Sequence, residues 1–144
     1  MFAERLICSW IGGLGLAAGA FCQTYVQFSA DQRPTIPVSI NSEGAVTGAY
    51  FGTIGNPHGF VRDPGGTITT FDVPGSFETF PFSINDEGAI TGVYTDSGGQ
   101  HGYVRDPKEN FTTFDFPGSP ATLPGSINAG GAVTALTRTR MIRL

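Results

Sequence analysis

Thr79-Phe80-Pro81-Phe82-Ser83-Ile84-Asn85-Asp86-Glu87-Gly88-Ala89-Ile90-Thr91-Gly92 decides the fold, because the chain writes it three times. Upstream it stands as Thr35-Ile36-Pro37-Val38-Ser39-Ile40-Asn41, continued by Gly44-Ala45-Val46-Thr47. Downstream it returns as Thr122-Leu123-Pro124-Gly125-Ser126-Ile127-Asn128, continued by Gly131-Ala132-Val133-Thr134. The period is about 44 residues and then about 43. Two copies extend further: His58-Gly59-Phe60-Val61-Arg62-Asp63-Pro64 matches His101-Gly102-Tyr103-Val104-Arg105-Asp106-Pro107, and both close on Thr-Thr-Phe-Asp at 69–72 and 112–115. About 24 of 43 paired positions are identical.

A period of this length belongs to helical solenoids or to β-propeller blades. No apolar i, i+3, i+4, i+7 pattern runs for ten residues outside the first twenty, which excludes solenoid helices. Instead, short β-branched and aromatic runs lie between turn formers such as Asn85-Asp86-Glu87-Gly88, Asp96-Ser97-Gly98-Gly99 and Asp63-Pro64-Gly65-Gly66. Each unit reads as four antiparallel strands. The expected fold is all-β: two four-stranded propeller-type blades at 35–78 and 79–121 and a partial third at 122–136, an incomplete β-propeller preceded by a signal helix. Residues 21–34 hold a stray strand at Thr24–Phe28, and 137–144 form a basic tail. Leaving about four apolar residues uncovered on an end face forgoes roughly 6–12 kcal/mol, comparable to the net stability of a domain. Self-association, or a place within a longer propeller, is therefore expected.

The first twenty residues read as an address. Arg5 supplies a positive n-region, Leu6–Ala20 is uncharged and mostly apolar, and Ala18-Gly19-Ala20 is a small-x-small cleavage site. The run is too short for a stable membrane span, and Phe21 before Cys22 argues against a lipoprotein signal. A secreted or extracellular location follows, with the periplasm or cell surface as variants. Of the two cysteines, only Cys22 would remain after cleavage, so no intrachain disulfide is expected. The 144 residues carry net charge −4, which argues against nucleic acid as a partner.

The repeat resembles the extracellular repeat of the HAF family, named for a His-Ala-Phe tripeptide. The resemblance covers roughly residues 35 to 136 and rests on the Ser-Ile-Asn-x-x-Gly and His-Gly-[Phe/Tyr]-x-Arg-Asp segments. Gly59 and Gly102 stand where the family name has alanine, and Tyr103 replaces its Phe. The resemblance implies export and propeller-like repeats; it implies no reaction or substrate.

His58 and His101 are the only histidines and occupy equivalent positions. Folding each hairpin at its Arg-Asp-Pro turn sets His58 against Asp72 and His101 against Asp115, within cross-strand reach. Such a pair orients a general base, yet no nucleophile is fixed beside it. Blade-stabilising polar pairs are the favoured reading. Tyr50, Tyr94, Phe60 and Tyr103 form a candidate binding surface for glycan or peptide, with burial in a core as the competing reading. Asp86, Glu87 and Asp96 lie in turns without the spacing of a calcium loop, and no cofactor or zinc signature is present. Asn110-Phe111-Thr112 is a glycosylation sequon.

The leading expectation is a non-enzymatic binding or structural surface. Its partners would be copies of itself, another repeat-containing chain, or an extracellular glycan or protein. The alternatives are a polysaccharide-active enzyme and a truncated gene remnant.

Overall fold

Each Asn-x-x-Gly segment reverses the chain, because glycine enters the left-handed region without a Cβ penalty. Gly44, Gly88 and Gly131 sit there at φ 86°, 84° and 78°. The asparagine side chain closes the turn, its Oδ1 accepting the backbone N–H of Ala45, Ala89 and Ala132 at 2.8, 2.7 and 2.9 Å. The computed structural model describes residues 4–8 and 22–137, with side chains for 27–136.

The turns join two four-stranded antiparallel sheets. The first contains β3 (Thr35–Ile40), β4 (Val46–Phe51), β5 (Pro57–Arg62) and β6 (Ile68–Phe71), paired in sequence order. The second repeats the arrangement with β7 (Glu78–Ile84), β8 (Ile90–Asp96), β9 (Gly99–Arg105) and β10 (Phe111–Phe114). A two-stranded sheet follows, β11 (Thr122–Ile127) with β12 (Val133–Thr137). In each of these three sheets the first hairpin shifts register after its proline, between Pro37 and Ser39, Pro81 and Ser83, and Pro124 and Ile127. The fold is all-β, and the described sheets do not close into a ring.

Of the signal helix expected at the start, the described residues show none. Glu4–Cys8 is a strand, β1, paired antiparallel with β2 (Cys22–Val26) from Glu4↔Val26 to Cys8↔Cys22. Its backbone groups are thus satisfied across a ladder rather than along a helix axis. Residues 9–21 and the basic residues of the tail, within 138–144, lie outside the described residues. Among those described there is one three-residue 3-10 turn, Ala30–Gln32, and no helix long and apolar enough to cross a membrane.

The sheets stack, and the core lies between them. Ile84, Ile90, Tyr94 and Tyr103 of the second sheet are buried with Val73, against Ala45, Val61 and Phe71 of the first unit. Ile90 and Tyr94 share one side of β8, as the two-residue strand period requires, so Val93 points to the other side. β11 packs across β7, β8 and β9. A sheet thus has an upstream face, covered by the preceding unit, and a downstream face, covered by the next.

The ring that seats on each sheet comes from the segment before it. Phe71 meets Tyr103 edge-on at 6.4 Å and lies under the Arg105 guanidinium at 4.8 Å. Phe28 does the same for the first sheet, edge-on to Phe60 at 5.7 Å and under Arg62 at 5.4 Å. The corner that follows is also repeated: backbone N–H groups of Ala30, Val73 and Phe116 donate to Oγ1 of Thr35, Thr79 and Thr122 at 3.0, 3.1 and 3.0 Å. The stray strand expected at Thr24–Phe28 is therefore β2 followed by Phe28, which packs as the last strand of a unit packs.

Candidate functional site

The β5–β6 turn is closed by Gly66 N–H donating to the Asp63 carbonyl at 3.0 Å. The ladder then pairs Arg62 with Ile68 and Phe60 with Thr70. Continuing that register past β6 brings Asp72 to His58, whose Nδ1 lies 3.0 and 2.9 Å from the two carboxylate oxygens. In the second sheet His101 Nδ1 lies 2.8 Å from Asp115 Oδ1. The imidazoles pack on the tyrosine of the neighbouring strand, Tyr50 at 5.2 Å and Tyr94 at 5.1 Å between ring centroids.

The two sites differ in one contact that sequence reading missed. His101 Nε2 lies 3.2 Å from Asp96 Oδ1, so carboxylates engage both ring nitrogens. Five residues before His58 the chain has Thr53, which offers no carboxylate. The clue was present in Asp96-Ser97-Gly98-Gly99, where a tight turn folds Asp96 back onto its own strand pair; Gly98 N–H donates to the same oxygen at 2.6 Å. That N–H is the main cause of the lowered Asp96 pKa, with His101 adding to it. The hydrogen bond to Asp115 is the main cause holding His101 above the ordinary imidazole value; burial opposes the rise, and Asp96 adds to it.

Among the described residues no serine, threonine or cysteine side chain hydrogen-bonds to either histidine ring, and no three His, Cys, Asp or Glu side chains gather as a metal site. Asp86 instead accepts the Ser42 N–H at 2.9 Å, the main cause of its lowered pKa, and ties one turn to its counterpart.

The aromatic surface expected from Tyr50, Tyr94, Phe60 and Tyr103 is not a surface. Phe60 and Tyr103 are fully buried and Tyr94 almost so, because Phe28 and Phe71 close over the upstream faces on which they lie. Only Tyr50 is half-exposed, and its phenol pKa is raised chiefly by burial. Gly59 and Gly102 stand where only a glycine fits. A Cβ at Gly59 would come within 2.5 Å of the Phe71 ring, and one at Gly102 within 2.6 Å of Phe114.

A groove of about 280 Å³ lies where the units meet, lined by Pro57, Glu78, Phe80, Phe82, Val93 and Gln100 among others. Its walls combine aromatic rings with one carboxylate, Glu78, whereas glycoside hydrolysis ordinarily takes two. No family model, curated protein or solved structure matches the chain.

Proposed function

We propose that this chain is an exported, non-enzymatic β-repeat protein whose sheets are the blades of an incomplete propeller. It serves as a binding or structural surface, toward other repeat units and toward extracellular glycan or protein. The observation that supports this best is how the polar side chains of each repeat are used. His58, His101, Asn41 and Asn85 all bond to neighbouring strands or turns, and among the described residues no serine, threonine or cysteine side chain hydrogen-bonds to the imidazoles. Export is supported by the Arg5, apolar run and Ala18-Gly19-Ala20 series, and by the HAF-type segments at Ser-Ile-Asn and His-Gly. The groove with Phe80, Phe82 and Glu78 has the mix of rings and polar groups that suits a sugar face.

The test is a panel of polysaccharides assayed in parallel for binding and for release of reducing ends. Binding without turnover, weakened by Phe80→Ala, is the expected result. Turnover that disappears in His101→Ala while the variant keeps its fold by circular dichroism would replace this reading with the enzymatic one.

A further inference from the structure

We propose that a second copy of this chain docks head to tail, the β3–β4 part of its first sheet, which Phe28 leaves uncovered, seating on the downstream face of β11–β12. This rests on the reading of the sheets as an array open at both ends.

The chain already contains this interface twice. At the first junction Asn41 Nδ2 donates to the Asn85 carbonyl at 3.1 Å, and Ser39 Oγ accepts the Ile84 N–H at 3.3 Å. At the second, Asn85 Nδ2 donates to the Asn128 carbonyl at 2.9 Å, and Ser83 Oγ accepts the Ile127 N–H at 3.4 Å. Each asparagine closes its own turn with one end of its amide and reaches the next unit with the other. Asn128 keeps the first half of that role, accepting the Ala132 N–H, but its Nδ2 meets no acceptor among the described residues. At the opposite end of the array, the Asn41 carbonyl accepts, among the described residues, Gly44 N–H alone, whereas the Asn85 carbonyl accepts both Gly88 N–H and the Asn41 amide. A carbonyl has two lone pairs. The spare donor and the spare acceptor are the two halves of one missing rung.

Apolar burial follows the same rhythm. On upstream faces Ile84 is 6% exposed and Ile127 7%, while their counterpart Ile40 is 67% exposed. On downstream faces Ala49 and Val93 are 0% and 6% exposed, while their counterpart Leu136 is 74% exposed. What is uncovered at one end is the type of residue that the other end covers inside the chain. An unrelated partner would have to supply both the carbonyl and the apolar face. A second copy carries them in the right register. The contact is heterologous, so it closes into a ring or grows into a filament. Two copies, each contributing β3–β6, β7–β10 and β11–β12, reach the range of about four to eight blades that closes a ring. A dimer is therefore expected.

The experiment is light scattering coupled to size exclusion on the full chain, on Ile40→Asp, on Leu136→Asp, and on a differently tagged mixture of the two variants. Both substituted positions are exposed, so circular dichroism of each variant should match the parent. The parent is expected at twice the chain mass and each variant at the single mass. The mixture should recover a one-to-one pair, because each variant keeps the face the other has lost. Asn128→Ala removes the rung at both contacts of the closed pair and should weaken dimerisation about thirtyfold to a hundredfold. A monomeric parent, variants that stay dimeric, or a mixture that stays monomeric would overturn the proposal. A monomer that binds glycan without turnover removes the docking and leaves the functional reading standing; a dimer that hydrolyses glycan does the reverse.

Discussion

Tyr103 illustrates how one atom separates two otherwise equivalent sites. Its ring fills the upstream face of the second sheet as Phe60 fills that of the first, and both are fully buried. Its hydroxyl, however, has no hydrogen-bond partner among the described residues, and burial pushes the phenol pKa well above the ordinary value. A buried unsatisfied hydroxyl costs about 1–3 kcal/mol. Tyr103→Phe is therefore expected to stabilise the protein by about 1 kcal/mol, seen as a higher urea midpoint at unchanged slope. The repeat alignment made the Phe60–Tyr103 equivalence legible, but a strand's aromatic reads the same whether its face is open or covered. Burial depended on Phe28 and Phe71, whose rings arrive from the preceding unit. That contact leaves no pattern within the strand itself. Likewise, Gly59 and Gly102 were readable as a repeated glycine, while the overlying Phe71 and Phe114 rings that explain them were not.

At the level of the element, the hairpin is where sequence reading reached furthest. A turn of known length fixes register, and register brings Asp72 to His58 and Asp115 to His101. Asp96 escaped because its partner lies in the same hairpin as the turn that appeared to occupy it. The consequence is a pH-dependent stability in the second sheet. His101 has its pKa raised in the fold, so it binds a proton more tightly there than in the unfolded chain. Its contribution is full below the ordinary imidazole value of about 6.5 and is lost as pH rises through the raised value. Melting temperature should therefore fall as pH rises above the ordinary imidazole value, and His101→Gln should flatten that part of the profile. A profile unchanged in His101→Gln would mean the carboxylates do not favour the imidazolium. Because Asp115 is well exposed, the effect should shrink in high salt.

The whole molecule is held by junctions that no single sheet displays. Asn85 is buried and bonds twice, to Ala89 N–H at 2.7 Å and to the Asn128 carbonyl at 2.9 Å. Losing both in Asn85→Ala should cost about 2–3 kcal/mol in urea denaturation. Asn128→Ala, which removes one exposed turn bond within the chain, should cost under about 1 kcal/mol. Equal losses would mean the amide acts only in its own turn. The Ser-Ile-Asn motif was visible as a repeat, but a ladder running from sheet to sheet requires knowing how sheets stack, which strand periodicity does not encode. The displaced seating of the phenylalanines carries a practical corollary for anyone lengthening or shortening the array. A cassette excised from the first residue of a sheet to its last would leave its own lid behind and carry away its neighbour's. A graft running from Phe71 to Thr113 keeps ring, corner and sheet together, so the modular boundary falls inside a strand rather than in the turn where an eye would place the scissors.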